Sequence, residues 1–412
     1  MKIMGQLNIK AKCLILVTCI CIVSGCQTVP TRSISEMELL ARQQDYLDAY
    51  QRDLDMMNEQ SHTRIESEYI KALTGGERQS HDVLVLSGGG ACGAFGAGFL
   101  EGWGEVTDSE FARPQFDSVS GISTGSLIAP FAFIGTPDAY RTISEIYENP
   151  QRDWARRRSI LRFLPGNVSL YDVSNLHNKI ESAISLKVIQ SIANEAIDGR
   201  QLLVGAANVD YGLMRVWNLA QTAIEHPAEE ARSQTISVLQ ASIAIPGVFP
   251  PVIIDDLLYV DGGTSMQIVG GTDDRSWMFD DDTEQATFAH QEHPVRIRLW
   301  VIINQRLVPN PVLVQKSWNS IATRSLNTLL RTSMLQSLHD MDTVIRLINK
   351  NPKFDAKLYY VAVPQEYEIA QTKDLFDPDN MKSLADLGRR MGADPMSWRT
   401  ESLRPGAPFE MR

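Results

Sequence analysis

Two short stretches of this 412-residue chain hold residues suited to covalent chemistry. The first, Ser87-Gly88-Gly89-Gly90-Ala91-Cys92-Gly93, follows the apolar run Val83-Leu84-Val85-Leu86. The second is Gly121-Ile122-Ser123-Thr124-Gly125. Gly-x-Ser-x-Gly is the pattern of a turn that lifts a serine hydroxyl off the end of a strand, with glycines where strand and helix come too close for a side chain. A serine that attacks a carbonyl needs N–H donors for the oxyanion it creates, and Gly88-Gly89-Gly90 at a helix start supplies them. The pair of motifs, one strand–helix unit apart, points to acyl hydrolysis. A triple glycine after a strand can instead cradle a phosphate. Against that, the turn lacks Gly-Lys-Ser/Thr. Gly88, Gly90 and Gly93 do fit Gly-x-Gly-x-x-Gly, but Asp117 sits just before the serine motif rather than at the end of a second strand, where a ribose partner belongs.

An attacking serine needs a base. The chain has seven histidines, and none follows a late strand in a glycine-rich turn, where a triad histidine is expected. His62 lies in an amphipathic N-terminal arm, His81 just before the first strand, His339 on a helix, and His226, His290 and His293 in polar loops. His177, in a Ser/Asn-rich stretch, is the least easily dismissed. Asp261 is the better candidate. Asp255 to Val260 reads as a strand, and Asp261-Gly262-Gly263 as a tight turn at its end, reached through the helix end and proline-stiffened loop of Ala241 to Pro251. A carboxylate accepts the serine proton if it touches the hydroxyl and is partly desolvated. Taken alone, Asp-Gly-Gly reads more readily as a plain β-turn.

The order and spacing of Gly88-Gly89-Gly90-x-x-Gly93, Gly121-x-Ser123-x-Gly125, Ala241 to Pro251 and Asp261-Gly262-Gly263 resemble those of the patatin-like phospholipases, over about residues 81 to 365. The resemblance implies a Ser–Asp dyad with Ser123 as nucleophile and Asp261 as base. It implies an oxyanion hole from the backbone of Gly88, Gly89 and Gly90, an elbow framed by Gly121 and Gly125, and a turn completed by Gly262 and Gly263. It also implies a three-layer α/β/α sandwich, acyl esters of lipids as substrates, and a dyad that needs no metal or other cofactor. One departure is Cys92, which stands where the family usually carries Arg or Lys. A neutral thiol there cannot assist an oxyanion or a phosphate as a cation would. A small buried spacer is the expected role of Cys92.

These residues must be carried by an α/β domain. Val83–Leu86, Phe116–Val119, Leu202–Asn208, Arg215–Leu219, Arg296–Asn304 and Lys357–Val363 read as strands, and Gly93–Gly104, Ser126–Phe133 and Trp318–Leu347 as helices between them. Pro130 is expected to kink the second helix. Alternation of this kind implies a mainly parallel sheet covered on both faces. Ser33 to Leu73 reads as a helix with a narrow apolar stripe, packed on the domain, and Phe376–Met391 as a helix on its periphery. The expected organisation is a leader over 1–25, a tether and amphipathic helix over 26–80, a catalytic domain over 81–365 and a C-terminal helical extension over 366–412.

The leader has lysines at 2, 10 and 12, an apolar run from Cys13 to Val23 that is too short to span a bilayer, and then Val23-Ser24-Gly25-Cys26. The last four resemble the lipobox of bacterial lipoproteins, which makes Cys26 the lipidated residue. Gln27 rather than aspartate follows it, favouring the outer membrane facing the periplasm. With Cys13, Cys19 and Cys21 in the leader, Cys92 is left alone, so no disulfide framework or cysteine metal site follows. The net charge of −11 disfavours nucleic acid as a partner; membrane lipids are expected as both substrate and anchor. Arg152, Arg156, Arg157, Arg158 and Arg162, with Trp154 and Phe163 between them, form a dense basic cluster that reads as a headgroup site or as a solvated face. Asp273-Asp274 and Asp280-Asp281-Asp282 lack calcium-loop spacing, and Trp277 and Phe279 between them read as part of a lid. Beside the acyl hydrolase stands one alternative, a catalytically weak lipoprotein that binds acyl chains or scaffolds envelope proteins.

Overall fold

A computed structural model describes residues 32–73, 80–107, 109–158, 168–266, 294–352, 354–368, 370 and 374–400. The leader, Cys26, the acidic runs with Trp277 and Phe279, His290 and His293, and Arg162 with Phe163 lie outside them. The chain opens with helix α1 (Glu36–Leu73), β1 (Ser80–Leu86), α2 (Gly93–Trp103), β2 (Ser118–Ile122), α3 (Thr124–Ile134) and α4 (Pro137–Glu148). A two-residue pair, β3 (Arg156–Arg157) and β4 (Tyr171–Asp172), precedes α5 (Ser174–Ala183) and α6 (Leu186–Ala196). Next come β5 (Gln201–Asn208), β6 (Leu213–Asn218), α7 (Leu219–Glu225), α8 (Ala228–Ser242), β7 (Val252–Ile254) and β8 (Leu257–Asp261). The chain closes with β9 (Val295–Ile303), α9 (Trp318–Ile348), β10 (Phe354–Ala362) and α10 (Pro378–Gly392).

The main sheet runs β10-β9-β1-β2-β5-β8-β7, with β6 also on β5. Strands β10, β9, β1, β2 and β5 are mutually parallel, β6 and β8 each pair antiparallel with β5, and β7 pairs antiparallel with β8. This is the mainly parallel α/β architecture expected, and its two covered faces make a three-layer sandwich. Alternation along the strands divides the core. Leu84 and Leu86 of β1 and Trp300 and Ile302 of β9 face one cluster, built with α2, α3, α4 and α10. Val83, Val85, Leu299 and Val301 face a second cluster, with Ile65 of α1 and Met334, Leu338, Met341, Ile345 and Ile348 of α9.

Two local readings change. The strand expected over Asp255 to Val260 begins instead at Leu257, because Asp255 and Asp256 have φ of 52° and 64° and form the two-residue turn that joins β7 to β8. Two positive φ values give the turn the twist a tight hairpin needs, and aspartate tolerates them better than most residues. The helix expected at the periphery, α10, packs into the main core: the backbones of α2 and α10 meet so closely that a Cβ on Gly98 would lie 2.1 Å from Ala385 O, and one on Gly388 2.1 Å from Phe95 O.

Candidate active site

The parallel strands β1, β2 and β5 end at one edge of the sheet, and the site is built there. Register places its two central residues. Along β5, Gly205 is the partner of Ile122 at the end of β2, and the next residue, Ala206, is the partner of Asp261 at the end of β8. Strand β6 occupies the other side of β5 over the same residues. Strands β2 and β8 therefore share one side of β5 and meet end to end, which brings Ser123 and Asp261 together. Asp261 accepts a hydrogen bond from the Ser123 hydroxyl and another from Gly263 N at 2.8 Å. Asp261 N donates to Ala244 O at 2.9 Å.

Ser123 has φ 53° and ψ −127°, a conformation side chains avoid and functional turns retain. The surroundings hold it there. Its N–H donates to Ser242 Oγ at 3.0 Å, and Ser242 Oγ donates to Gly205 O at 2.7 Å. Ser123 O accepts from Ser126 N at 2.9 Å and Ser126 Oγ at 2.6 Å. Gly121 and Gly125 answer a spatial demand. A Cβ on Gly121 would lie 2.3 Å from Gly125 O, and one on Gly125 would lie 2.3 Å from Leu86 O.

Ser123 is 5% exposed and Asp261 2%. Burial pushes the Asp261 carboxyl up to about 6, against the lowering effect of its bonds from Ser123 and Gly263. Above that pH it is an anion with a proton acceptor aimed at the serine.

The glycine turn lies alongside. Gly89 and Gly90 adopt φ of 162° and 58°, leading into a short turn of 3-10 helix over Gly90–Cys92. Among the described residues, no carbonyl accepts from the N–H groups of Gly88, Gly89 or Gly90, which leaves them open as oxyanion donors. The turn is braced by Asn304, just beyond β9. Asn304 N donates to Ser87 Oγ at 3.0 Å and Asn304 Nδ2 to Ser87 O at 2.8 Å. Its carbonyl comes so near Gly89 that a Cβ there would lie 2.1 Å away. Gly262 is packed in the same way, a Cβ lying 2.6 Å from Gly205 O.

A cavity opens from Ser123, with about 930 Å³ of empty space including its mouth. Leu127, Phe131, Ile143, Trp154, Ile180 and Phe249 are among its apolar walls. Gly90 and Ala91 of the turn and Ile243, Ile245 and Val248 of the 241–251 segment also border it. Lys179 is the charged residue of the lining.

Burial pushes the Cys92 thiol up to about 11, offset in part by the field of Arg306. A neutral, part-buried thiol is inert as a nucleophile. Arg306, from the loop after β9, is the cation whose field reaches the Cys92 thiol. His177 lies on α5, where burial lowers its pKa against the raising fields of Glu181 and Asp172, and it does not border the cavity. Of the Arg152 cluster, Arg152 pairs with Asp374 and Arg156 with Asp153.

Sequence reasoning missed Ser242 and Asn304. Ser242 meets Ser123 across 119 residues and Asn304 meets Ser87 across 217. No local pattern marks either one.

Residues 84–268 match the family model described as patatin-like phospholipase. An uncharacterised protein of Acanthamoeba polyphaga mimivirus, R571, is 27% identical over 217 residues, which cover 51% of this chain. The chain spans 66% of that relative's length. Among solved structures, VipD from Legionella pneumophila is similar at a TM-score of 0.32 and 12% identity, over 78% of this chain and 68% of that one.

Proposed function

We propose that the patatin-like phospholipase domain formed by residues 84–268 hydrolyses the acyl ester of a lipid, with Ser123 as nucleophile and Asp261 as its base. One observation carries this reading. A serine held at φ 53° is hydrogen-bonded to a carboxyl buried to a pKa of about 6, and the serine borders an apolar cavity. Ser123 Oγ attacks the ester carbonyl while its proton passes to Asp261. The oxyanion is met by N–H groups of Gly88, Gly89 and Gly90. The tetrahedral intermediate collapses, and Asp261 returns the proton to the departing alcohol. Water, deprotonated by Asp261, then cleaves the acyl-enzyme and releases the fatty acid. Each methylene of the acyl chain seated in the cavity contributes about 0.8 kcal/mol.

The chain is further read as a lipoprotein, anchored through Cys26 to the periplasmic side of a bacterial outer membrane. The lysine-bearing apolar leader and Val23-Ser24-Gly25-Cys26 support this. No helix among the described residues is long and apolar enough to cross a membrane. The catalytic reading is tested by hydrolysis of p-nitrophenyl esters and phospholipid vesicles by the 27–412 chain, Ser123→Ala and Asp261→Asn. Both variants are expected to lose activity on every substrate. Activity that persists in Ser123→Ala would overturn the assignment. The anchor is tested by labelling cells with a fatty-acid analogue, which should enter the wild-type chain and not Cys26→Ser.

A further inference from the structure

From Gln305 to His339 the chain contains no aspartate or glutamate, although its 412 residues include 50 and its net charge is −11. The average density of acids would place about four in such a stretch. The stretch carries instead Arg306, Lys316, Arg324 and Arg331. Among the described residues, the ion pairs involve other cations. Arg306 Nε is buried without a hydrogen-bond partner, while its Nη2 donates to Tyr367 O. Arg331 donates to Arg306 O and Leu307 O, at 2.6 and 3.1 Å. Burial, and then the charges of Arg324 and Arg306, hold the Arg331 pKa below its ordinary value. Anions at this surface would relieve that repulsion.

The same stretch displays apolar side chains to solvent. Leu313 is 96% exposed, Trp318 78% and Leu329 67%, with Val312 and Ile321 also exposed. Along α9, Trp318, Ile321, Leu326, Leu329 and Leu330 fall on one face at helical spacing, and Arg324 and Arg331 on the other. The core-facing stripe of α9 begins only at Met334, and no described side chain from 318 to 333 is buried. Half of a 31-residue helix, roughly 24 Å, thus stands clear of the core. An apolar stripe backed by arginines, with a tryptophan at one end, is the makeup of a helix that lies in a bilayer interface.

Its position fits. The stretch begins directly after Asn304, which braces the glycine turn, and Ser333 Oγ donates to Ser265 O at 3.3 Å, beside the Asp261 turn. The first half of α9 therefore lies at the sheet edge that carries the site.

We propose that the loop over 304–317 and the first half of α9 form a docking surface for an anionic lipid bilayer, a surface that serves the lipid-hydrolase reading given above. The stripe enters the headgroup–acyl boundary, and Lys316, Arg324 and Arg331 meet lipid anions. Charge complementarity selects this occupant. A second copy of the chain would set these cations against their own kind, whereas an anionic bilayer neutralises them.

The test is hydrogen exchange of peptides from 305–333 in the full chain carrying Ser123→Ala, so that vesicles stay intact. Vesicles of phosphatidylglycerol and phosphatidylcholine in equal parts are compared with vesicles of phosphatidylcholine alone. Exchange should slow about tenfold or more with the anionic vesicles, and the protection should fade in about 0.5 M salt. No protection, equal protection by phosphatidylcholine, or protection that grows with protein concentration in the absence of lipid would each overturn the proposal. A triple variant of the active chain, Leu313→Asp, Trp318→Ser and Arg324→Glu, should hydrolyse anionic vesicles about tenfold more slowly. Its rate on a soluble short-chain ester should match wild type, which also shows that it folds. If wild type itself leaves the soluble ester intact, the hydrolase reading fails, while the exchange result still decides the docking surface.

Discussion

On the proposed mechanism, Asp261 makes the rate depend on pH. With its carboxyl raised to about 6, hydrolysis of a soluble ester should fall tenfold per pH unit below that value, as the base is protonated, and level off above it. The same burial acts on stability. A carboxyl whose pKa is higher folded than unfolded adds stability at low pH and loses it as pH rises through the folded value, here between about 4 and 6. Asp261→Asn should therefore be inactive yet no less stable than wild type at pH 8. The wild-type chain should gain on it by about 2 kcal/mol as pH falls to 4, read from denaturant midpoints. Ser242 is tested separately. Ser242→Ala strips a buried acceptor from Ser123 N–H and a buried donor from Gly205 O. It should cost about 2 kcal/mol of stability. It should also lower kcat about tenfold or more with KM little changed, since the cavity walls stay intact.

At the scale of elements, what the sequence revealed and what it hid divide along physical lines. The strand–turn–helix units at 83–104 and 118–134 were legible because buried parallel strands read as apolar runs and the turns need glycine. The hairpin turn at Asp255-Asp256 was not, because two aspartates among apolar residues fit a strand as well as a turn until φ is known. Nor was the packing of α10. The glycines at 98, 102, 388 and 392 are far apart in sequence, and only in the fold do they form one backbone-to-backbone contact. That contact is closed by Arg389, which reaches Glu101 on α2 at 2.9 Å, Glu148 on α4, and Asp386 at 2.9 Å. Gly388→Ala should separate the helices and destabilise the fold by about 2–3 kcal/mol. Because α10 belongs to this core, Gly388→Ala should lower the single unfolding transition of the whole chain, observed by circular dichroism, rather than create an early local one.

The whole molecule sets the distance between the site and a membrane. Helix α1 lies along β5: Tyr46 stacks on Tyr211 at 4.2 Å, Gln201 Nε2 donates to Met57 O at 2.8 Å, and Arg64 pairs with buried Asp117 at 2.7 Å. Its start is pinned where β5 ends, Arg32 reaching Asp210 Oδ2 at 2.7 Å and Asp256 O at 3.2 Å. The chain thus enters the described structure at the edge that carries Ser123 and the cationic surface. Five residues separate Cys26 from Arg32, and the six steps reach about 20 Å when fully extended. A lipid on Cys26 would hold that edge against the bilayer and raise the local concentration of substrate. Lipidated wild type should therefore hydrolyse vesicles about tenfold or more faster than Cys26→Ser at equal protein, with equal rates on a soluble ester. A flexible insert of some thirty residues between Cys26 and Arg32 should lose part of that advantage, as effective concentration falls with tether length. If the rate on vesicles is the same with and without the lipid, the anchor plays no part in presenting substrate, and the cationic surface alone must bring the site to the membrane.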